Sequence, residues 1–188
     1  QHFDDFSAAL QALIDEELVY PAILSRGEIR DLISQAEANG VRWPRDPDGV
    51  PHYPPQDRQR SARARRRLIA SDMPHAWRLD VAAALARIGG PIFWEETGAG
   101  PEGETGRVRA DPAAWGDVVI ARKDVPASYH LAVVVDDALQ GVSHVVRGRD
   151  LFHATAIQRL LLELLGLTPP VYHHHSLVLG DDGRKLSK

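Results

Sequence analysis

The chain contains no cysteine, which excludes disulfides and thiolate metal sites and fits a cytoplasmic protein. It has no apolar run of membrane-spanning length; Leu131 to Val135, for instance, stops at Asp136 and Asp137. A transmembrane helix is thereby excluded. Gln1-His2-Phe3-Asp4-Asp5 has no basic segment leading into an apolar one, so it does not read as a signal peptide. A starting Met is missing too, as expected of a trimmed chain or fragment. Internal repeats and low-complexity tracts are absent. So is a strong charge bias: a net charge of −4 over 188 residues gives no global attraction to nucleic acid.

What is present suffices for one good-sized core or two small ones, with 44% hydrophobic residues. Positive charge is local. Arg58, Arg60, Arg63, Arg65, Arg66 and Arg67 are closely clustered, and such a segment can engage a phosphate backbone by itself. Composition alone favours the plainer alternative, a solvated Arg-rich helix face.

Periodicity predicts the elements. Phe6, Leu10, Leu13, Ile14 and Leu18 recur at helical spacing, so the first twenty residues read as an amphipathic helix stopped near Pro21. Ser25 and Glu28 form an S-x-x-E capping box before Ile29, Leu32, Ile33 and Ala36, and Asn39-Gly40 ends that helix. Five prolines between residues 41 and 57 mark a loop. The Arg-rich stretch after it reads as about three helical turns, with Leu68 and Ile69 as its strong apolar anchors. Ala76 to Asp80 alternates like a half-buried strand, Ala82 to Ile88 favours helix, and the glycine-rich segment from Gly98 to Gly106 suggests short strands joined by loops.

The last seventy or so residues carry an α/β pattern. Asp117 to Ile120 and Val142 to Val146 read as strands, Thr155 to Leu165 as a helix burying Ile157, Leu160, Leu161, Leu164 and Leu165, and Val171 to Leu179 as extended. Leu131 to Val135 is ambiguous. Its β-branched residues say strand, while Asp136 to Gly141 reads as a helix end. The expected fold is α/β with a parallel sheet.

Strand ends of such sheets are where ligands bind, and three features collect there. Arg147 follows a predicted strand and precedes Gly148, which would admit a ligand close to the backbone. A guanidinium fork suits a carboxylate, although a structural salt bridge, for example to Asp150, is an equal alternative. Lys185-Leu186-Ser187-Lys188, after Gly183, offers two ammonium groups and a hydroxyl to a triphosphate, or is an ordinary polar tail. His173-His174-His175 invites a metal, but adjacent strand residues point to opposite faces and do not readily chelate one ion.

Three blocks resemble glutamyl-tRNA synthetases, class I aminoacyl-tRNA synthetases, in residues, order and spacing. They are Tyr129 to Asp137, Gly141 to Leu151, and Lys185 to Lys188. With Tyr20-Pro21, Ser25 to Ile29, Trp94 to Gly98 and Trp115 to Asp117, the chain is more similar still to the compact branch that glutamylates queuosine in tRNA(Asp) and lacks an anticodon-binding domain. The resemblance implies a Rossmann-type catalytic domain: residues 1–20 closing the first half, 21–115 an acceptor-binding-like insertion, and 116–188 the second half ending in a KMSKS-like loop. It implies activation of L-glutamate by ATP, with Mg2+, to glutamyl-adenylate, followed by transfer to the queuosine base of tRNA(Asp) by a cytoplasmic monomer. Tyr129 and Arg147, with Asp150 assisting, would hold glutamate. Lys188 and Lys185 would bind ATP phosphates, with Ser187 completing the catalytic loop. Arg63, Arg66 and Arg67 would lie near bound tRNA. The alternatives are a piece of a glutamyl-tRNA synthetase charging tRNA(Glu), and a non-catalytic tRNA- or nucleotide-binding domain.

Two departures from the family stand out. Many members hold zinc where this chain has Ala22, Leu24, Tyr53 and Asp57, so no zinc is expected here, and packing of Ile23, Leu24 and the proline-rich loop is expected to replace it. The HIGH-type motif of the family is also absent. The chain is therefore expected to be a partial catalytic domain with little or no ATP–pyrophosphate exchange of its own.

Overall fold

The computed structural model describes residues 3–71, 73–122 and 127–180. Helix α1 (Phe3–Asp15) is shorter than its apolar spacing predicts. It stops before Pro21 comes into play, because Glu17 adopts a left-handed conformation (φ 57°) and turns the chain into strand β1 (Val19–Ala22). Tyr20-Pro21 thus belongs to a strand. Pro21 is tolerated because β1 is an edge strand.

Helix α2 (Arg26–Ala38) has the predicted capping box, with Ser25 accepting from the Glu28 backbone and Glu28 reaching back to the Ser25 N–H. After the proline-rich loop comes α3 (Ala62–Ala70), which buries no residue. Of the expected apolar anchors, Leu68 is half-buried but Ile69 is 44% exposed. Arg65 also holds the helix, donating to the Arg58 carbonyl and lying over the Tyr20 ring.

Strand β2 (Ala76–Leu79) leads into α4 (Val81–Ile88), capped by Asp80 at its start and closed by left-handed Gly89. Strands β3 (Phe93–Glu96) and β4 (Gly106–Arg109) form the hairpin expected of the glycine-rich segment. Strand β5 (Val119–Arg122) pairs antiparallel with β2, which pairs with β1, giving a three-stranded sheet.

The ambiguous segment is helix α5 (Tyr129–Leu139), capped by Ser128. Leu131, Val134 and Val135 lie on one buried side of it. Burial at helical spacing outweighs the β-propensity of the three consecutive valines. Strand β6 (His144–Gly148), helix α6 (Thr155–Leu164) and strand β7 (Val171–His175) then form a β–α–β unit with parallel strands. In α6, Ile157, Leu160, Leu161 and Leu162 are buried, whereas Leu164 and Leu165 are only partly so. The second sheet runs β4-β3-β7-β6, with β3 parallel to β7 and only β4 reversed. Strands from both sides of residue 115 therefore share it. One apolar cluster joins the sheets to the helices, drawing Phe6 and Leu13 from α1, Leu131 from α5, Ile157 and Leu161 from α6, and Trp94 and Tyr172 from the sheet. The fold is mixed α/β with a parallel sheet, as the pattern implied. No helix among the described residues is long and apolar enough to cross a membrane.

Candidate functional site

Because β3, β7 and β6 run in the same direction, their carboxyl ends lie together, and each contributes one polar side chain. Arg147 on β6 sits opposite His174 on β7, and Glu96 ends β3 beside Tyr172. The alternation of β7 turns Tyr172 and His174 inward and leaves His175 exposed. The three histidines are thus split between faces. Among the described residues, no group of three or more His, Cys, Asp or Glu side chains is arranged to hold a metal ion.

Glu96 is the fixed point of this cluster. One carboxylate oxygen accepts from the backbone N–H groups of His174 and Gly98, both at 2.9 Å. The other accepts from Trp94 Nε1 at 3.3 Å and lies 2.6 Å from His174 Nδ1. Burial pushes this carboxyl upward, but the donors outweigh it, and its pKa stays below the ordinary value. An ionised Glu96 requires the proton of His174 to be on Nδ1. Burial lowers the His174 pKa against the pull of Glu96, so the ring is neutral with a free lone pair on Nε2. Gly98 is required for this closeness: a Cβ there would lie 2.3 Å from the His174 carbonyl oxygen.

Arg147 donates from Nε to His174 Nε2 at 3.0 Å and from Nη2 to Thr155 Oγ1 at 2.8 Å and to the Leu151 carbonyl at 3.3 Å. All three acceptors are uncharged. The guanidinium also lies 5.2 Å from the Tyr172 ring centroid. Through these contacts Arg147 is held as a positioned cation. The room beside Gly148 is taken by Asp150 Oδ1 and Leu177, at 2.4 and 2.9 Å from a Cβ placed there, so the open approach expected at that glycine is filled by side chains.

Tyr129, the first residue of α5, is 52% exposed and lines a cavity of about 500 Å3 with Tyr53, Arg78, Asp117, Arg122 and His130. Arg147 is not in that lining. Arg147 lies instead beside Tyr172, whose pKa burial pushes up to about 12. Next to Tyr129, His130 is half-buried, with Nδ1 shielded from solvent and unpartnered among the described residues, and desolvation together with the Arg147 charge takes its pKa down to about 4. Asp150 is exposed, in the turn after β6. Lys185, Ser187 and Lys188 lie outside the described residues. Arg63, Arg66 and Arg67 are exposed on α3.

Glu96, His174 and Thr155 have no assigned role in the sequence reading. The available signal was an acidic residue at an inward position of a short strand, beside Trp94, and a histidine two residues from a buried tyrosine.

The segment for which no zinc was expected is built around Asp57. Asp57 is fully buried. Its Oδ2 accepts from the N–H groups of Ile23 (2.8 Å) and Leu24 (3.3 Å) and from the Tyr53 hydroxyl (2.5 Å), and Arg60 donates to Oδ1 at 2.8 Å. Three hydrogen bonds, rather than the packing anticipated, tie the segment after β1 to the proline-rich loop: the Ile23 N–H to Asp57, and the Leu24 N–H to Asp57 and to the Tyr53 hydroxyl at 3.1 Å. One carboxylate and one phenol, bonded to each other, do not fit the donor set of a structural zinc.

A family model described as tRNA synthetases class I (E and Q), catalytic domain, matches residues 1–188. A glutamyl-Q tRNA(Asp) synthetase of Rhodobacter capsulatus is 42% identical over 181 residues, covering 96% of this chain. The chain spans 61% of that relative's length. A glutamate–tRNA ligase of Prochlorococcus marinus is 34% identical over 197 residues, across all of this chain and 37% of the relative. The crystal structure of a glutamate-tRNA synthetase from Elizabethkingia anophelis superposes with a TM-score of 0.73 at 20% identity, covering 100% of this chain and 36% of that one.

Proposed function

Since the chain belongs to the class I tRNA synthetase (E and Q) catalytic-domain family, we propose that within its full-length protein it activates glutamate with ATP and passes the glutamyl group to queuosine in tRNA(Asp). The observation that carries the amino-acid half of this reading is Arg147, a cation at a strand end held by the neutral acceptors of His174, Thr155 and Leu151. A guanidinium so held keeps its charge for an incoming carboxylate. Tyr129, at the start of the neighbouring helix, supplies a hydroxyl, and Asp150 helps place the substrate.

In the first step an α-carboxylate oxygen of glutamate attacks the α-phosphorus of ATP, taken as its Mg2+ complex. The bond to pyrophosphate breaks, and glutamyl-adenylate remains. Lys185 and Lys188, with Ser187, neutralise charge gathering on the leaving pyrophosphate. The chemistry is mostly positioning and electrostatics. In the second step a hydroxyl of queuosine attacks the activated carbonyl, AMP leaves, and the hydroxyl proton passes to solvent. The preference for queuosine over a tRNA 3′ end is supported by the 39–42% identity to glutamyl-Q tRNA(Asp) synthetases, against 34% for the glutamate–tRNA ligase.

The test uses the full-length protein with ATP, radiolabelled glutamate, and either queuosine-containing tRNA(Asp) or tRNA(Glu). Label retained on the anticodon fragment of tRNA(Asp) after nuclease digestion is the expected result. Label on the 3′-terminal adenosine of tRNA(Glu) would assign the chain to the tRNA-charging branch. Binding of tRNA without glutamate-dependent pyrophosphate exchange would leave a non-catalytic domain.

A further inference from the structure

Arg147 reaches the strand end through a second layer of side chains that have no part in the chemistry above. Its Nε–H is received by His174 Nε2, and His174 Nδ1–H is received by Glu96. Glu96 is in turn fixed by two backbone N–H groups and the Trp94 indole. Tyr172 stacks almost parallel to His174, at an interplanar angle of 4°, and Phe152 meets the ring edge-on at 5.2 Å. His174 therefore has little freedom to rotate, and its lone pair points at one N–H of one guanidinium.

We propose that His174 and Glu96 are positioning residues that orient Arg147 for the substrate carboxylate, and that the imidazole lets a buried carboxylate steady the guanidinium without neutralising it. The inference rests on the reading of Arg147 as the glutamate-binding cation. A carboxylate placed directly on Arg147 would occupy the fork and compete with substrate. A neutral imidazole between them supplies a well-directed acceptor and no charge. The bonds to His174, Thr155 and Leu151 use Nε and Nη2, and Nη1 is the arm that the proposal assigns to the ligand.

The arrangement has a single proton pattern, and Glu96→Gln breaks it without changing shape. The amide NH2 of the substituted side chain must face some of the four donors that Glu96 receives. Backbone N–H groups cannot reverse, whereas an imidazole can move its proton to Nε2 and accept at Nδ1. The moved proton then points at Arg147 Nε–H, and the bond between His174 and Arg147 is lost.

The experiment combines kinetics and spectroscopy on the full-length protein. Glutamate and ATP KM values are measured by pyrophosphate exchange for wild type, Arg147→Ala, His174→Ala, His174→Gln and Glu96→Gln, and the His174 tautomer is read from two-bond 1H–15N spectra. Wild type should show the Nδ1–H form and Glu96→Gln the Nε2–H form. Glutamate KM should rise about tenfold or more in Glu96→Gln and His174→Ala, with ATP KM within about twofold. His174→Gln keeps an acceptor and a donor and should recover most of the loss. The proposal is overturned if glutamate KM stays near wild type in a Glu96→Gln protein whose tautomer has changed, or if both KM values rise together. Should Glu96→Gln fail to fold, equal glutamate KM values for His174→Ala and His174→Gln would overturn it as well. An Arg147→Ala protein with unchanged glutamate KM removes the underlying reading, and this inference with it. A large effect confined to Arg147→Ala removes the inference alone.

Discussion

A buried carboxylate such as Asp57 is tolerated only where donors replace its water. Burial pushes the Asp57 pKa up, but Tyr53, the Ile23 N–H, Arg60 and the Leu24 N–H more than offset this, and the group stays ionised below the usual carboxylate range. Replacing it with alanine strands those donors. We expect Asp57→Ala to lose about 3 kcal/mol in urea denaturation, with the amides of Ile23 and Leu24 losing hydrogen-exchange protection first. Asp57→Asn retains one acceptor oxygen and should lose less. Added zinc should leave the melting temperature of either protein unchanged; a zinc-dependent rise would show that the donor set binds metal after all. Tyr53 was legible as the residue kept from the relatives' pattern. The role of Asp57 was not, because sequence carries no sign that one carboxylate collects two backbone amides 33 and 34 residues away.

At the scale of elements, capping residues were the most readable signal. Ser25 with Glu28 fixed the start of α2, and Asn39-Gly40 its end, because each satisfies groups that the helix itself leaves unpaired. Ends set by a residue without such a signature were not readable. Glu17 stops α1 in a left-handed conformation uncommon outside glycine. Helix α5 was ambiguous because consecutive valines fit a pleat locally, and only the tertiary burial of Leu131, Val134 and Val135 decides against it. In α3 the arginines themselves misled. One of them, Arg65, shares the anchoring assigned to Leu68 and Ile69, leaving Arg63, Arg66 and Arg67 exposed. If these three grip RNA phosphates, changing them to glutamine should weaken tRNA binding and reduce the slope of log affinity against log salt by about 2 to 3. Glutamate-dependent pyrophosphate exchange should be unaffected. An unchanged salt slope would return α3 to a solvated face.

For the whole molecule, His174, buried, and His130, half-buried, set the response to acid. His130 has a pKa near 4, from burial and the Arg147 charge, and His174 is also lowered by burial. Unfolded, both take up protons near pH 6.5. The unfolded state thus binds more protons, and stability should fall as pH drops from about 6.5 toward about 4. Below that, Glu96 and Asp57, held low in the folded state, should deepen the loss, while Asp137, pushed up by burial, works the other way. A melting temperature unchanged between pH 7 and pH 5 would contradict this. The parallel β–α–β unit was legible because its periodicity is local. That β3, just before the glycine-rich stretch, enters the same sheet was not, since the pairing of Glu96 with Tyr172 is what reveals it.

That pairing also has a consequence in time. Glu96 and His174 are 78 residues apart in the chain, and at ordinary rates of synthesis, about 5–20 residues per second, the ribosome needs about 4–16 s to travel from one to the other. Throughout that interval Glu96, and over its last 27 residues Arg147 as well, wait for the strand that lies between β3 and β6. The cluster of Glu96, His174 and Arg147 is thus among the last of the described parts that can close, and a nascent chain halted before β7 would carry an Arg147 without the His174 acceptor for its Nε–H.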